Sequence, residues 1–155
     1  MGKHFFRVAI LVFAFACCIT SCSSPLLEWQ PETISDTTPV TITCNAEKGN
    51  KGLLNFKGPV YVHVGLITDS SKNPNDWRYV RFKWGTADPA AEAKRIGRNR
   101  WSFTIPNIRQ FFQVDKNEKI FQIAILFRAG DCYDTDCNTQ RNEDNSDMFI
   151  PVSAK

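Results

Sequence analysis

His63 is the residue in this chain best equipped to move a proton or bind a metal, and it stands nearly alone. The only other histidine, His4, lies in the N-terminal leader. A single histidine on a strand is more often a hydrogen-bonded structural residue than a base or a ligand. No Ser-His-Asp or Cys-His pairing emerges from the spacing. The sixteen Asp and Glu residues allow carboxylate pairs, but none falls at the end of a recognisable catalytic strand. The expectation is a protein that is not an enzyme.

Aromatic side chains offer a different chemistry. Trp77, Tyr79, Arg81 and Lys83 share one parity, as do Tyr61 and His63 on a neighbouring stretch. If the Val and Phe positions between them face the core, these side chains share the opposite face, within cross-strand reach. Rings that stack on the apolar face of a sugar, with polar groups beside them for the hydroxyls, are what carbohydrate binding requires. Trp77 and Tyr79 are the expected stacking platforms, and Tyr61 and His63 flank them. Trp84 is a weaker candidate, because its parity points inward. A second reading stays open: the polar 69–76 loop or the 108–114 turn covers this face.

The densest acidic cluster is Asp131-Cys132-Tyr133-Asp134-Thr135-Asp136-Cys137, with further acids up to Asp147. Oxygen ligands at Asp131, Asp134 and Asp136 suit calcium, although the glycine and terminal glutamate of an EF-hand are out of register. The competing reading is a solvated hairpin stapled by a Cys132–Cys137 disulfide, which export would permit. Zinc lacks a fourth ligand. No other metal or cofactor is expected. Cys44 falls on an inward strand face, where a free thiol behaves as a small buried hydrophobe.

The elements that must position these residues follow period-two alternation rather than the helical period. Val40 to Ala46, Val60 to Leu66, Val80 to Trp84, Trp101 to Ile105, Phe121 to Phe127 and Met148 to Val152 each read as strands. Gly, Pro and Asn punctuate the gaps. The expected fold is all-β, an antiparallel immunoglobulin-like β-sandwich of roughly six to eight strands. One or two short helical turns are expected at 88–94 and 108–114. The 155 residues suit one domain and leave no room for a catalytic barrel of ~250 residues. The formal charge of +3 drops further without Lys3 and Arg7, so there is no nucleic-acid footprint.

Residues 1–21 read as a signal peptide: basic residues, an apolar run from Val8 to Ile19 too short to span a bilayer, then small residues. Ile19-Thr20-Ser21-Cys22 resembles the lipobox of bacterial lipoproteins, which implies lipidation at Cys22. Ser23 and Ser24 follow the cysteine, and the resemblance to Gram-negative lipoproteins then implies sorting to the outer membrane. An ordinary secretory cleavage near Ser21 is the alternative. Residues 22–38, turn-rich with Pro25 and Pro31, read as a tether, and 39–155 as the sandwich. Trp29 is open to three places: the domain surface, the lipid interface, or solvent.

From Thr38 to Ser153 the chain also resembles a known class of module. Asn50-Lys51-Gly52-Leu53, Val60-Tyr61-Val62-His63-Val64-Gly65-Leu66-Ile67-Thr68, Asp76-Trp77-Arg78-Tyr79-Val80 and Trp84-Gly85 carry the likeness. Gly97-Arg98-Asn99-Arg100-Trp101, Phe127-Arg128-Ala129-Gly130-Asp131 and Asp147-Met148-Phe149-Ile150-Pro151-Val152 continue it in order. The pattern is similar to the starch-binding-like β-sandwich modules that precede the catalytic domain of some bacterial α-amylase-family enzymes. It does not account for the insert from Cys132 to Ser146. With no barrel after the last strand, it carries over no hydrolytic activity. What it implies is a membrane-anchored lipoprotein that holds starch or a related α-glucan for separate hydrolases or transporters. The competing expectation is a structural lipoprotein that docks a protein partner in the envelope.

Overall fold

The computed structural model describes residues 24–130, 132 and 137–153. The calcium candidates Asp131, Asp134 and Asp136, and the lipidation candidate Cys22, lie outside the described residues.

Among the described residues eight strands form in chain order: β1 Leu27–Gln30, β2 Val40–Asn45, β3 Val60–Thr68, β4 Glu92–Gly97, β5 Arg100–Ile105, β6 Ile120–Ala129, β7 Thr139–Gln140 and β8 Met148–Pro151. They pair in the order β1-β2-β5-β4-β3-β6-β7, with β8 also on β6. Every named pairing is antiparallel. The fold is therefore all-β and sandwich-like, a curled sheet in which β4 belongs to both halves. The alternating apolar residues do the closing. Ile42 lies opposite Phe103, and Val62 opposite Phe127. Val40, Ile42, Val62, Val64, Leu66, Ile105, Ile123, Ile125 and Phe127 are all fully buried in one core. Each such side chain stabilises the fold by about 1.5–3 kcal/mol relative to exposure.

Among the described residues, helical structure is limited to two turns. Pro89–Ala91 makes a single 3-10 turn capped by the Asp88 side chain, and from Glu92 the chain is already strand β4. Ile108–Phe112 forms α1, whose first turn is capped by the Asn107 side chain accepting from the Gln110 N–H. Gln113 stops it in the left-handed region, at φ 56°.

Three expectations need correction. The Val80–Trp84 stretch is not a strand. It touches β3 through an isolated Leu66–Arg78 bridge and a hydrogen bond from Arg81 N–H to the Val64 carbonyl. Tyr79 sits at φ 54°, outside the extended region, and this breaks the alternation. Phe121 does not lead the inner face of β6, because a register shift pairs Thr68 with Ile120 and turns Phe121 outward, 46% exposed. The tether reading of 22–38 is overturned for its described part. Leu27–Gln30 pairs with β2, Ile34 is buried, and Ser35 bridges Ser153. Trp29 packs back against the core and donates its indole N–H to the Glu32 carbonyl at 3.2 Å.

Candidate functional site

The side of β3 and β6 that faces away from the core carries Tyr61, His63, Gly65 and Ile67 against Arg128, Leu126, Ala124 and Gln122, with Phe149 alongside on β8. This side is not bare. The segment after the 69–76 loop lies across it, so the covering layer weighed as an alternative is partly realised. Gly65 makes the crossing possible: a Cβ there would sit 3.1 Å from the Arg78 carbonyl and 3.2 Å from Val80.

The crossing lays rings and a cation in a row. Trp77 stacks on His63 with centroids 5.6 Å apart and planes 24° apart, and makes a T-shaped contact with Phe149 at 6.4 Å. Trp84 meets His63 edge-on at 4.9 Å. Beyond it the Arg128 guanidinium lies 5.6 Å from the Trp84 ring and 5.8 Å from Tyr61. Arg128 is fully buried and donates to the carbonyls of Ala129 and Gly130, each at 2.9 Å, and of Thr86. A buried guanidinium is tolerated when its terminal nitrogens are met in this way.

Between the 75–84 segment and the 141–147 loop this row opens into a groove of about 400 Å³, lined by His63, Trp77, Val80, Trp84 and Leu126. Asn75, Asp76, Arg141 and Asp147 supply its polar lining, with Arg141 and Asp147 ion-paired. Burial, reinforced by the Arg128 charge, pushes the His63 pKa down to about 4. The imidazole is therefore neutral near pH 7. His63 Nδ1 and Trp77 Nε1 are among the buried side-chain atoms for which the described residues supply no hydrogen-bond partner. Such buried atoms call for an explanation at a functional site.

Of the residues singled out from sequence, the structure brings His63, Trp77 and Trp84 together. Trp84 lines the groove despite its inward parity, because its stretch is not a strand. Tyr61 lies outside the groove, buried under Gly130 and Arg128. Tyr79 also lies outside it, and its hydroxyl donates to Glu118. That hydrogen bond, followed by burial, raises the Tyr79 pKa. Burial pushes the Glu118 carboxyl up, but hydrogen bonds from Thr68, Tyr79 and Ser70 outweigh it and leave it lowered. The pair thus clamps the 68–79 stretch to the 115–119 turn. Arg128, Arg141 and Asp147 were missed. Arg128 had a signal in the sequence, since it holds the outward parity of β6.

Cys132 and Cys137 are joined by a disulfide, and Cys44 is a buried free thiol. No group of three or more metal-ligating side chains occurs among the described residues. No helix among the described residues is long and apolar enough to cross a membrane. No protein-family model matches the chain, and no curated protein matches it significantly.

Proposed function

We propose that the groove binds a carbohydrate, an α-glucan of the starch type, without catalysis. The protein then serves as a lipoprotein, anchored through Cys22 to the outer membrane, that holds the polymer for separate hydrolases or transporters. The observation that carries the sugar reading is the composition of the groove. Two half-exposed indoles, Trp77 and Trp84, flank a neutral imidazole, and an amide, two carboxylates and a guanidinium line the rest. Indole faces take the apolar faces of pyranose rings, while planar polar groups address paired hydroxyls. The preference for an α-glucan, the anchor and the envelope location rest on the sequence resemblances.

By analogy with base stacking, each indole platform contributes ~1–3 kcal/mol. A short oligosaccharide then binds with a Kd on the order of 0.1–1 mM, and many copies on one membrane raise the affinity for a polymer by avidity. The test is affinity electrophoresis of residues 24–155, a span that includes β1, through gels containing starch, glycogen or an unrelated β-glucan. Retardation in the two α-glucans, lost in Trp77→Ala and Trp84→Ala but kept in Tyr79→Ala, supports the assignment. Free migration of the folded domain in every gel would sink it.

A further inference from the structure

One end of the sandwich is strongly basic although the chain as a whole is only +3. Residues 47–58 and 92–100 hold seven of the nineteen Lys and Arg residues against two acids, Glu47 and Glu92. These two stretches are distant in sequence but form one surface. Asn55 N–H donates to the Asn99 side chain at 2.8 Å, Arg95 donates to the Phe56 carbonyl at 3.2 Å, and Arg98 to the Asn55 side chain at 3.3 Å. Glu47 accepts from the Asn99 amide at 3.1 Å and Arg100 is ion-paired with Glu28 at 2.9 Å, which leaves five exposed bases, Lys51, Lys57, Lys94, Arg95 and Arg98, against the two exposed acids. Within this surface stand two of the four large apolar side chains exposed among the described residues, Leu54 at 42% and Ile96 at 49%. Exposed aliphatics ringed by Lys and Arg match a bilayer interface, where the cations meet lipid phosphates and the apolar tips enter the acyl boundary.

The course of the chain says which occupant this end meets. Asn45 N–H donates to the Leu26 carbonyl, and Ala46 N–H to the Asn99 carbonyl, each at 2.8 Å. Leu26 therefore lies at the same end as the β4–β5 turn. From Leu26 back to Cys22 there are four residues, a reach of at most about 14 Å. On the lipid-anchored reading proposed above, attachment through Cys22 thus brings this end to the lipid surface.

We infer that the 47–58 loop and the β4–β5 turn form a docking face for an anionic phospholipid bilayer, with Leu54 and Ile96 as its insertion tips. Unlike the sugar reading, it makes no use of the groove, so either can fail alone.

The test is co-sedimentation of residues 24–155, which contain all eight strands and the described core, with phosphatidylcholine vesicles with and without phosphatidylglycerol. The expected result is binding to the anionic vesicles only, weakened by salt. Lys57→Glu and Lys94→Glu, exposed positions away from the core, each cut partitioning at least about fivefold. Leu54→Ser with Ile96→Ser removes the binding that survives high salt. No binding, equal binding to both vesicle types, or indifference to these substitutions overturns the inference. Equal retention on a DNA duplex that ignores Leu54 and Ile96 also overturns it, in favour of a general polyanion surface.

Discussion

The guanidinium of Arg128 lies 5.6 Å from the centre of the Trp84 ring. Through this contact a buried strand residue supports one wall of the groove. The same indole meets His63 edge-on at 4.9 Å and lines the groove.

Replacement of Arg128 should therefore affect both stability and the groove. Arg128→Met leaves three carbonyls short of donors and is expected to destabilise the domain by roughly 2–4 kcal/mol. Arg128→Lys should restore only part of this, because an ammonium cannot both stack on rings and donate through a planar fork. Urea unfolding followed by Trp fluorescence checks both values, and a neutral Arg128→Met would refute the supporting role.

Stability should also fall on mild acidification, with His63 responsible. Its pKa is about 4 in the folded chain against an ordinary 6.5. Between those values the unfolded chain takes up a proton that the folded chain refuses, so the stabilisation present above pH 6.5 is lost as the pH falls toward 4. In His63→Gln this part of the slope should vanish. Urea midpoints across that window, compared between the two proteins, decide it.

Gly65→Val should act at the crossing. Its side chain would run into the Arg78 carbonyl and Val80, at an expected cost of about 1–3 kcal/mol. Because the displaced stretch carries Trp77, retardation in starch gels should fall as well. A variant that keeps full retardation would show that the groove does not depend on this close approach.

The strand network was largely legible in the sequence and the covering segment was not. Val62 and Phe127 are pinned by alternation, because a one-residue slip would turn every apolar side chain of β3 outward. β1 was hidden because a short edge strand containing Leu27, Trp29 and a following proline resembles a linker. At Val80–Trp84 the alternation was present but misleading. What decides that stretch is the backbone of Tyr79 and the missing side chain of Gly65, and neither leaves a periodic trace. Trp77 and His63 do meet and Tyr61 shares the β3 face with His63, but the second strand face expected to carry Tyr79 does not exist.

Cys44 offers a direct reading of core integrity. Burial pushes its thiol up to about 12, with Arg100 pulling weakly the other way. Thiolate is the reactive form. In residues 24–155 the native domain should resist iodoacetamide at neutral pH and react at a rate set by opening of the core. Brisk native labelling would contradict the buried position of β2.

The order of the strands also bears on how the chain acquires its fold. β1 with β2, β3 with β4, β4 with β5, and β6 with β7 are neighbours in sequence and can meet early. The pairings that close the core, β2 with β5 and above all β3 with β6, join Val40 to Ile105 and Val60 to Ala129. Contacts this far apart must wait for long loops to close, and such topologies fold in milliseconds to seconds. Until β6 arrives, Val60, Val62, Val64 and Leu66 have no partner strand on that edge. A chain that leaves the ribosome N-terminus first thus stays open through most of its synthesis, with the apolar edge of β3 uncovered until β6 emerges.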